Sequence, residues 1–312
     1  MASTFNCSSH LFNETLAENT ILVLAGVAML SNAFFLYFIW LGLRHRKISK
    51  RRYCFHVSRA TADIIRALVY CFPFYGMQYE TPLDFFFSFL DSLCFLGIIL
   101  TYFTFGITIY LAVRRPLFYT AYMSTGVCVT INALVWLVSC VSASVNVLIQ
   151  GTILFPRVSQ VCSFEGCQIY QIVISSVIAF LCYTFVLSIA LSLVLFLARD
   201  KRPSGSTENE WKRVRKLVLN VVLFALFYFP VVLVAVCVAI NAETLNDFRL
   251  CRIDDHKMTV VSRVISMERV STFFYLTRMN LEPISIVISE HSFYVFMARK
   301  LKFKRKETTT ER

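Results

Sequence analysis

The chain is poor in charged residues. Asp, Glu, Lys and Arg together make up 16% of its 312 residues, whereas a soluble globular domain has about 25%. Hydrophobic residues account for 57%, aromatic residues for 15%, and the mean hydropathy is +0.64. This composition excludes an ordinary soluble domain and indicates a membrane protein.

The sequence also lacks internal repeats, low-complexity segments and the alternating or Gly-rich patterns of a β-barrel. Apolar runs recur along it instead. A transmembrane helix needs about 20 apolar residues, and only segments that satisfy their own backbone groups can cross lipid. We predict seven such helical spans, which cover residues 21–43, 53–75, 85–113, 125–150, 170–198, 217–240 and 264–288.

Lys and Arg are absent from the first 43 residues, which carry two N-glycosylation sequons, at Asn6 and Asn13. Six of the 31 basic residues lie on this side of the membrane, including Arg269 at the outer end of span seven, three lie deeper within spans, and 22 lie on the opposite side. Cytoplasmic loops carry the excess of positive charge. We therefore predict a multi-pass plasma-membrane protein with its N-terminus outside.

Two further absences narrow the classes of function. The first twenty residues lack a basic start and an early apolar core, so no cleaved signal peptide is predicted. The five histidines form no close metal-ligand spacing, and no nucleophile motif occurs. We predict no enzymatic activity, no cofactor and no metal site. The net charge of +12 reflects the charge bias across the membrane, so no nucleic-acid partner is predicted.

The end of span three carries a recognisable frame. Thr108, Ile109 and Tyr110 are followed by a Leu-Ala pair and then by Pro116 and Leu117. This stretch resembles the end of the third transmembrane helix of rhodopsin-like (class A) G-protein-coupled receptors, in which Asp-Arg-Tyr precedes Leu-Ala and Pro-Leu. The frame is kept, but the acid and the arginine of the triplet are replaced by Thr108 and Ile109.

Other spans carry the same resemblance in the same order. The matching positions are Asn32 in span one, Asp63 in span two, Trp136 in span four, Pro230 in span six and Pro283 in span seven. Span five lacks the proline of the family. The resemblance implies an all-α membrane protein, a seven-transmembrane helix bundle with a short amphipathic eighth helix. Its implied domains are an extracellular N-terminus (1–20), the bundle (21–288) and a cytoplasmic tail (289–312).

The resemblance implies a receptor that binds a small extracellular ligand and signals to a heterotrimeric G protein, with arrestin as a further partner. The residues after span three are similar to those of olfactory receptors, which suggests an odorant or another chemosensory cue. Pro230, Pro283 and the foot of span three would be the moving parts. An opsin is disfavoured because spans six and seven contain no lysine for a retinal Schiff base.

Two alternatives stay open. A decoy or scaffold receptor that does not signal is favoured by the loss of the arginine at Ile109. A seven-helix transporter is less well supported, because the internal repeats typical of transporters are missing.

Charges inside two spans predict an internal ion network. Arg59, Asp63 and Arg66 share one face of span two, and each would cost about 2.5–3.5 kcal/mol at mid-membrane, so they must face protein and be paired. In the family, the acid of span two binds sodium. Here Arg278 and Glu282 of span seven can close a network with Asp63 and Arg59 without a metal ion.

A ligand pocket is predicted between the outer halves of spans two, three, six and seven. Asp91 stands where amine receptors of the family carry their ammonium-binding aspartate, yet Arg66 can neutralise it. An amine ligand and an acidic or neutral aromatic ligand both stay open. The predicted ligand-binding residues are Asp91, Arg66, Tyr228, Phe229, Glu268 and Tyr275.

Four of the eleven cysteines lie outside the membrane: Cys7, Cys162, Cys167 and Cys251. The cysteine that the family carries at the start of span three is missing, so the family disulfide is not expected. Three pairings of four cysteines are possible. We favour Cys162–Cys167 within the second outer loop and Cys7–Cys251.

Overall fold

A computed structural model of the chain describes residues 15–45, 50–71, 82–151, 169–199, 208–249 and 255–289. These residues form nine α-helices and contain no strand. The helices are α1 (Thr15–Arg44), α2 (Lys50–Cys71), α3 (Pro82–Arg114), α4 (Pro116–Tyr122), α5 (Thr125–Gly151), α6 (Ile169–Arg199), α7 (Glu208–Ile240), α8 (Ala242–Arg249) and α9 (Asp255–Ser289).

The seven long helices correspond to the seven predicted spans, so the all-α bundle is confirmed. Their ends differ from the prediction. α7 begins at Glu208 although its apolar run starts at 217, and α9 begins at Asp255 although its run starts at 264. α1 begins at Thr15, within the segment assigned to the N-terminal tail. Hydropathy locates the part of a helix that lies in lipid, and these polar turns continue beyond it.

The long helices pack in a ring. α1 contacts α2 and α9, and the ring continues through α3, α6 and α7 back to α9, while α5 lies outside against α3 and α2. α3 is the central helix. In its most apolar stretch, 56% of the residues are buried, against 22% in the corresponding stretches of α1 and α5. Side chains of α3 such as Cys94, Ile98 and Tyr102 therefore form the middle of the main core.

By length and apolarity, five helices among the described residues could cross a membrane: α1, α3, α5, α6 and α7. α2 and α9 are not among these five, and both carry ionisable residues within their apolar stretches. Arg59, Asp63 and Arg66 of α2 are buried, as are Arg278 and Glu282 of α9. Because these charges face the interior of the bundle and not lipid, α2 and α9 can span the membrane together with the other five.

Prolines shape three of the helices. α3 ends at Arg114, Arg115 leaves the helical region (φ −136°, ψ 66°), and Pro116 starts α4, where its missing N–H costs nothing. The predicted helix stop is thus followed directly by a new short helix. Pro230 lies inside α7 and Pro283 inside α9, and each removes one hydrogen bond from its helix ladder.

Several predicted features lie outside the described residues and stay predictions. They are the sequons at Asn6 and Asn13, the cysteines Cys7, Cys162, Cys167 and Cys251, and the amphipathic eighth helix after residue 289. This predicted helix is distinct from α8, which lies between α7 and α9. Among the described residues no disulfide occurs, and all seven cysteines are free.

Candidate functional site

Four buried charges meet between α2 and α9. Arg278 Nη2 donates to Asp63 Oδ1 at 2.5 Å, and Arg278 Nη1 donates to Glu282 Oε2 at 2.9 Å. Arg59 pairs through Nη1 with Glu282 Oε1, and its Nε lies 3.6 Å from Asp63 Oδ2. No side chain of the four is more than 3% exposed. We call this group the ion network.

Local helix geometry explains how the sequence builds the ion network. Arg59 and Asp63 are four residues apart on α2, and Arg278 and Glu282 are four residues apart on α9, so each pair shares one helix face. The pairing between the helices then crosses over, because Arg278 reaches Asp63 and Arg59 reaches Glu282. The network therefore ties α2 to α9.

Tyr102 extends the ion network to the central helix. Its hydroxyl accepts long hydrogen bonds, each 3.4 Å, from Nη1 of Arg59 and Nη1 of Arg278. The Tyr102 ring stacks on Phe224 of α7 with a centroid distance of 3.7 Å. Tyr102 thus links the charges of α2 and α9 to α3, and its stacking on Phe224 adds α7 to the same group.

The ion network does not fit the sodium ion that the family resemblance implies at Asp63. Two carboxylates face two guanidiniums, so the network is already neutral without a metal. The Arg278 guanidinium occupies the Asp63 Oδ1 lone pair that a cation would need, and Arg59 lies beside Oδ2. A metal ion here would add an uncompensated positive charge to a buried site.

A second charged cluster lies one turn further along α2. Arg66 Nε is 3.0 Å from Asp91 Oδ1 of α3. Its guanidinium carbon lies 4.2 Å from the Tyr275 ring centroid, 5.6 Å from that of Phe95 and 5.7 Å from that of Tyr70. Guanidinium groups over aromatic faces are stabilised by cation–π attraction. We call this group the Arg66 cluster.

Tyr275 connects the two groups of charges. Its ring centroid lies 4.2 Å from the guanidinium carbon of Arg66 and 4.8 Å from that of Arg278. The Tyr228 ring of α7 is 5.8 Å away, and the Tyr228 hydroxyl donates to Phe95 O at 3.3 Å. A change in the position of Arg66 would therefore be passed to Arg278 of the ion network by one side chain, that of Tyr275.

The structure does not bring two of the predicted ligand residues into the Arg66 cluster. Phe229 is 54% exposed, because the next residue on a helix is turned by about 100° and its neighbour Tyr228 already faces inward. Phe229 faces the surroundings of the bundle. Glu268 is exposed on α9, two turns before Tyr275, and its carboxylate is close enough to interact electrostatically with Asp91 and Tyr70. Four of the six predicted residues thus lie together, Glu268 lies at the edge of the group, and Phe229 lies apart.

At the predicted inner end, the altered triplet is largely buried. Ile109 is 4% exposed and belongs to the main core, and the Thr108 hydroxyl donates to Thr104 O of its own helix. Tyr110 is 38% exposed. Beyond Pro116, Leu117 is 85% exposed. The apolar surface at this end therefore comes from α4.

Sequence reasoning missed the residue that holds α4. Arg51 Nη1 donates to Met123 O at 2.8 Å, and the Arg51 guanidinium carbon lies 4.3 Å from the Tyr119 ring centroid. The only signal in the sequence was its membership of a basic run. The partly buried hydrogen bond from Ser285 Oγ of α9 to Asn220 Oδ1 of α7, 2.8 Å long, was also missed.

Two of the residues that carried the family resemblance make bonds between helices. Asn32 Nδ2 donates to Met279 O of α9 at 3.1 Å, and Trp136 Nε1 donates to Ser58 Oγ of α2 at 2.7 Å. Polar side chains commonly join membrane helices in this way. Their position in the sequence was informative because each one joins a particular pair of helices, α1 to α9 through Asn32 and α5 to α2 through Trp136.

Seven long helices in this packing order, with a polar centre shared by α2, α3 and α9, define a seven-transmembrane helical receptor. The chain belongs to the rhodopsin family of these receptors, since residues 36–270 match the family described as "7 transmembrane receptor (rhodopsin family)". A curated relative from Danio rerio, "Probable G-protein coupled receptor 173", is 30% identical over 131 residues. That match covers 39% of this chain and 34% of the relative, so the chain spans about a third of the relative's length.

Proposed function

We propose that the chain is a G-protein-coupled receptor of the plasma membrane, with its N-terminus outside, which binds a small extracellular ligand. The observation that carries this proposal is the position of Tyr275 between the Arg66 cluster and the ion network. The first cluster lies towards the predicted outer side and includes a half-exposed acid, Asp91, while the second is fully buried. A ligand that moves the first group thus has a direct contact with the second.

The transduction step would be a shift between two packings of the bundle. A ligand moves such an equilibrium only by binding one state better than the other. Here the ligand would displace Tyr275, and the pairing of Arg278 with Asp63 and Glu282 would rearrange. α7 and α9 each contain a proline, which leaves a carbonyl without its helical bond and makes bending easier at that point.

The inner partner would be a heterotrimeric G protein that contacts α4. The Leu117 side chain is 85% exposed. Ile109 is buried, so it cannot contact the G protein as the arginine of the family does. Coupling should therefore depend on α4 more than on the triplet. Arrestin is proposed as a further partner and an odorant or another chemosensory cue as the ligand. We also retain glycosylation at Asn6 and Asn13 and the two favoured disulfides as proposals.

A decoy receptor is the second candidate, and the burial of Ile109 favours it. Nucleotide exchange on G proteins by the full chain in lipid vesicles would separate the candidates, measured with and without compounds from a chemosensory ligand library. We expect at least one compound to bind and to raise the exchange rate, and Leu117→Ala to lower the stimulated rate. A compound that binds without raising exchange on any G-protein class would indicate a decoy. Compound flux into the vesicles would indicate a transporter.

A further inference from the structure

Arg66 has hydrogen-bonding capacity that the described part of the protein does not use. A guanidinium carries five N–H donors and pairs best with a carboxylate through two of them. Arg66 Nε lies 3.0 Å from Asp91 Oδ1, yet Nε and Nη1 of Arg66 are both buried without a hydrogen-bond acceptor among the described residues. The Arg66 side chain is 7% exposed. A buried N–H group without an acceptor costs free energy, and an acceptor oxygen from a ligand would remove this cost.

The Tyr275 hydroxyl is a second unused group beside it. Tyr275 is 1% exposed, and within the described ranges its hydroxyl has no hydrogen-bond partner. Its ring is the one closest to the Arg66 guanidinium. Two buried donors on α2 and α9 thus lie next to each other, and neither has an acceptor in the described part of the chain.

The charges around Arg66 indicate the sign of the missing group. The two arginines of the ion network are each held by buried acids, whereas within the described residues Arg66 forms an ion pair with one carboxylate, Asp91, which is itself 42% exposed. A cation entering here would compete with Arg66 for Asp91 and add positive charge next to a buried guanidinium. An anion would complete the pairing of Arg66, and Asp91 could turn to water at little cost because it is already half exposed.

We propose that Arg66 Nη1 and the Tyr275 hydroxyl bind the carboxylate of a small organic acid. The rings of Tyr70 and Phe95 would flank an aromatic or apolar body. This inference rests on the proposed function, because it names the ligand class of the proposed receptor. The Asp91 carboxylate is then a competitor of the ligand for Arg66 and not its binding partner.

The test measures binding without a G protein. The thermal unfolding midpoint of the purified full-length receptor in detergent is recorded with millimolar phenylacetate, with phenylacetamide, its neutral analogue, and with phenethylamine, a cation of similar body. A ligand that binds the folded state raises the midpoint in proportion to its concentration and affinity. We expect phenylacetate alone to raise it. An unchanged midpoint with phenylacetate, or an equal rise with phenethylamine, overturns the proposal.

Three variants locate the site. Tyr275→Phe removes one donor to a charged group and should weaken phenylacetate about tenfold or more, and Arg66→Gln should abolish the shift. Asp91→Asn removes the competing anion and should tighten binding about tenfold, whereas a requirement for Asp91 would show as a loss and refute the assignment. Arg263→Gln, at an exposed arginine of α9, is the control and should leave the shift unchanged.

The test stays decisive even if Arg66→Gln does not fold, because Tyr275→Phe should weaken phenylacetate binding whereas Asp91→Asn should tighten it.

Failure of the proposed receptor function would give a different result. Phenylacetate would then stabilise the receptor through Arg66 while no compound raised nucleotide exchange. The opposite outcome is also distinguishable. If ligands without a carboxylate stimulated nucleotide exchange and phenylacetate did not stabilise the protein, the proposed receptor function would stand and the proposed carboxylate site would be wrong.

Discussion

Replacing Arg278 by methionine tests whether the ion network holds the bundle together. Methionine keeps much of the side-chain length but removes the charge and the three hydrogen bonds of Arg278, to Asp63 at 2.5 Å, to Glu282 at 2.9 Å and to Tyr102 at 3.4 Å. The two acids are then left with Arg59 as their one guanidinium in the network. The variant therefore contains an uncompensated negative charge in a site that is almost fully buried.

The size of the effect follows from this imbalance. Removing one partner of a buried ion pair costs about 3–5 kcal/mol, and every 1.4 kcal/mol is about a factor of ten. The Arg278→Met variant should thus lose roughly two to three and a half orders of magnitude in its folding equilibrium. Adding Asp63→Asn restores neutrality and leaves the Arg59–Glu282 pair intact, so the double variant should recover most of the loss. Adding Arg59→Met instead leaves two unpaired acids and should be worse.

Surface expression and the thermal unfolding midpoint in detergent provide the assay. Thr277→Ala, on the same helix, is the matched control, because its hydroxyl bonds back to Phe273 O within α9. It should express and unfold like the native chain. The reasoning is refuted if Arg278→Met matches this control, or if the neutral double variant is less stable than the single one.

Three further predictions concern the two ends of the bundle. Ile109→Arg places a charge at a position that is 4% exposed, so it should lower surface expression by destabilising the bundle and should not raise nucleotide exchange per receptor; a large gain in exchange per receptor would show that the triplet limits coupling. Leu117→Ala should lower stimulated exchange by about tenfold, as expected for an exposed contact worth about 1.4 kcal/mol, without changing surface expression. Asp91→Asn should leave the potency of any cationic agonist unchanged, and a clear loss of potency would restore the amine interpretation.

The seven spans were predictable because lipid imposes a strong rule: a crossing segment must be long, apolar and helical. The same rule does not specify where a helix ends in water. The starts of α7 at Glu208 and of α9 at Asp255 were therefore missed. Membership of the rhodopsin family was also predictable, from residues such as Trp136 and Asn32 that bond between particular helices.

Spacing within one helix predicted which charges share a face, but partners on other helices depend on rotation and tilt that no local pattern records. Arg59 and Asp63 could be placed together from their separation of four residues, whereas the stacking of Tyr275 between Arg66 and Arg278 could not. Phe229 was grouped with Tyr228 because the two are adjacent in sequence. On a helix, adjacency places them on different sides.

A sodium titration tests the central claim, that the protein's own guanidiniums occupy the place of a cation beside Asp63. The thermal unfolding midpoint of the purified receptor is compared in sodium chloride and in the chloride of a large organic cation at equal ionic strength. The neutral ion network predicts that the two curves coincide, with general salt screening as the sole effect in both. A sodium-specific rise in the midpoint, lost in Asp63→Asn, would contradict it.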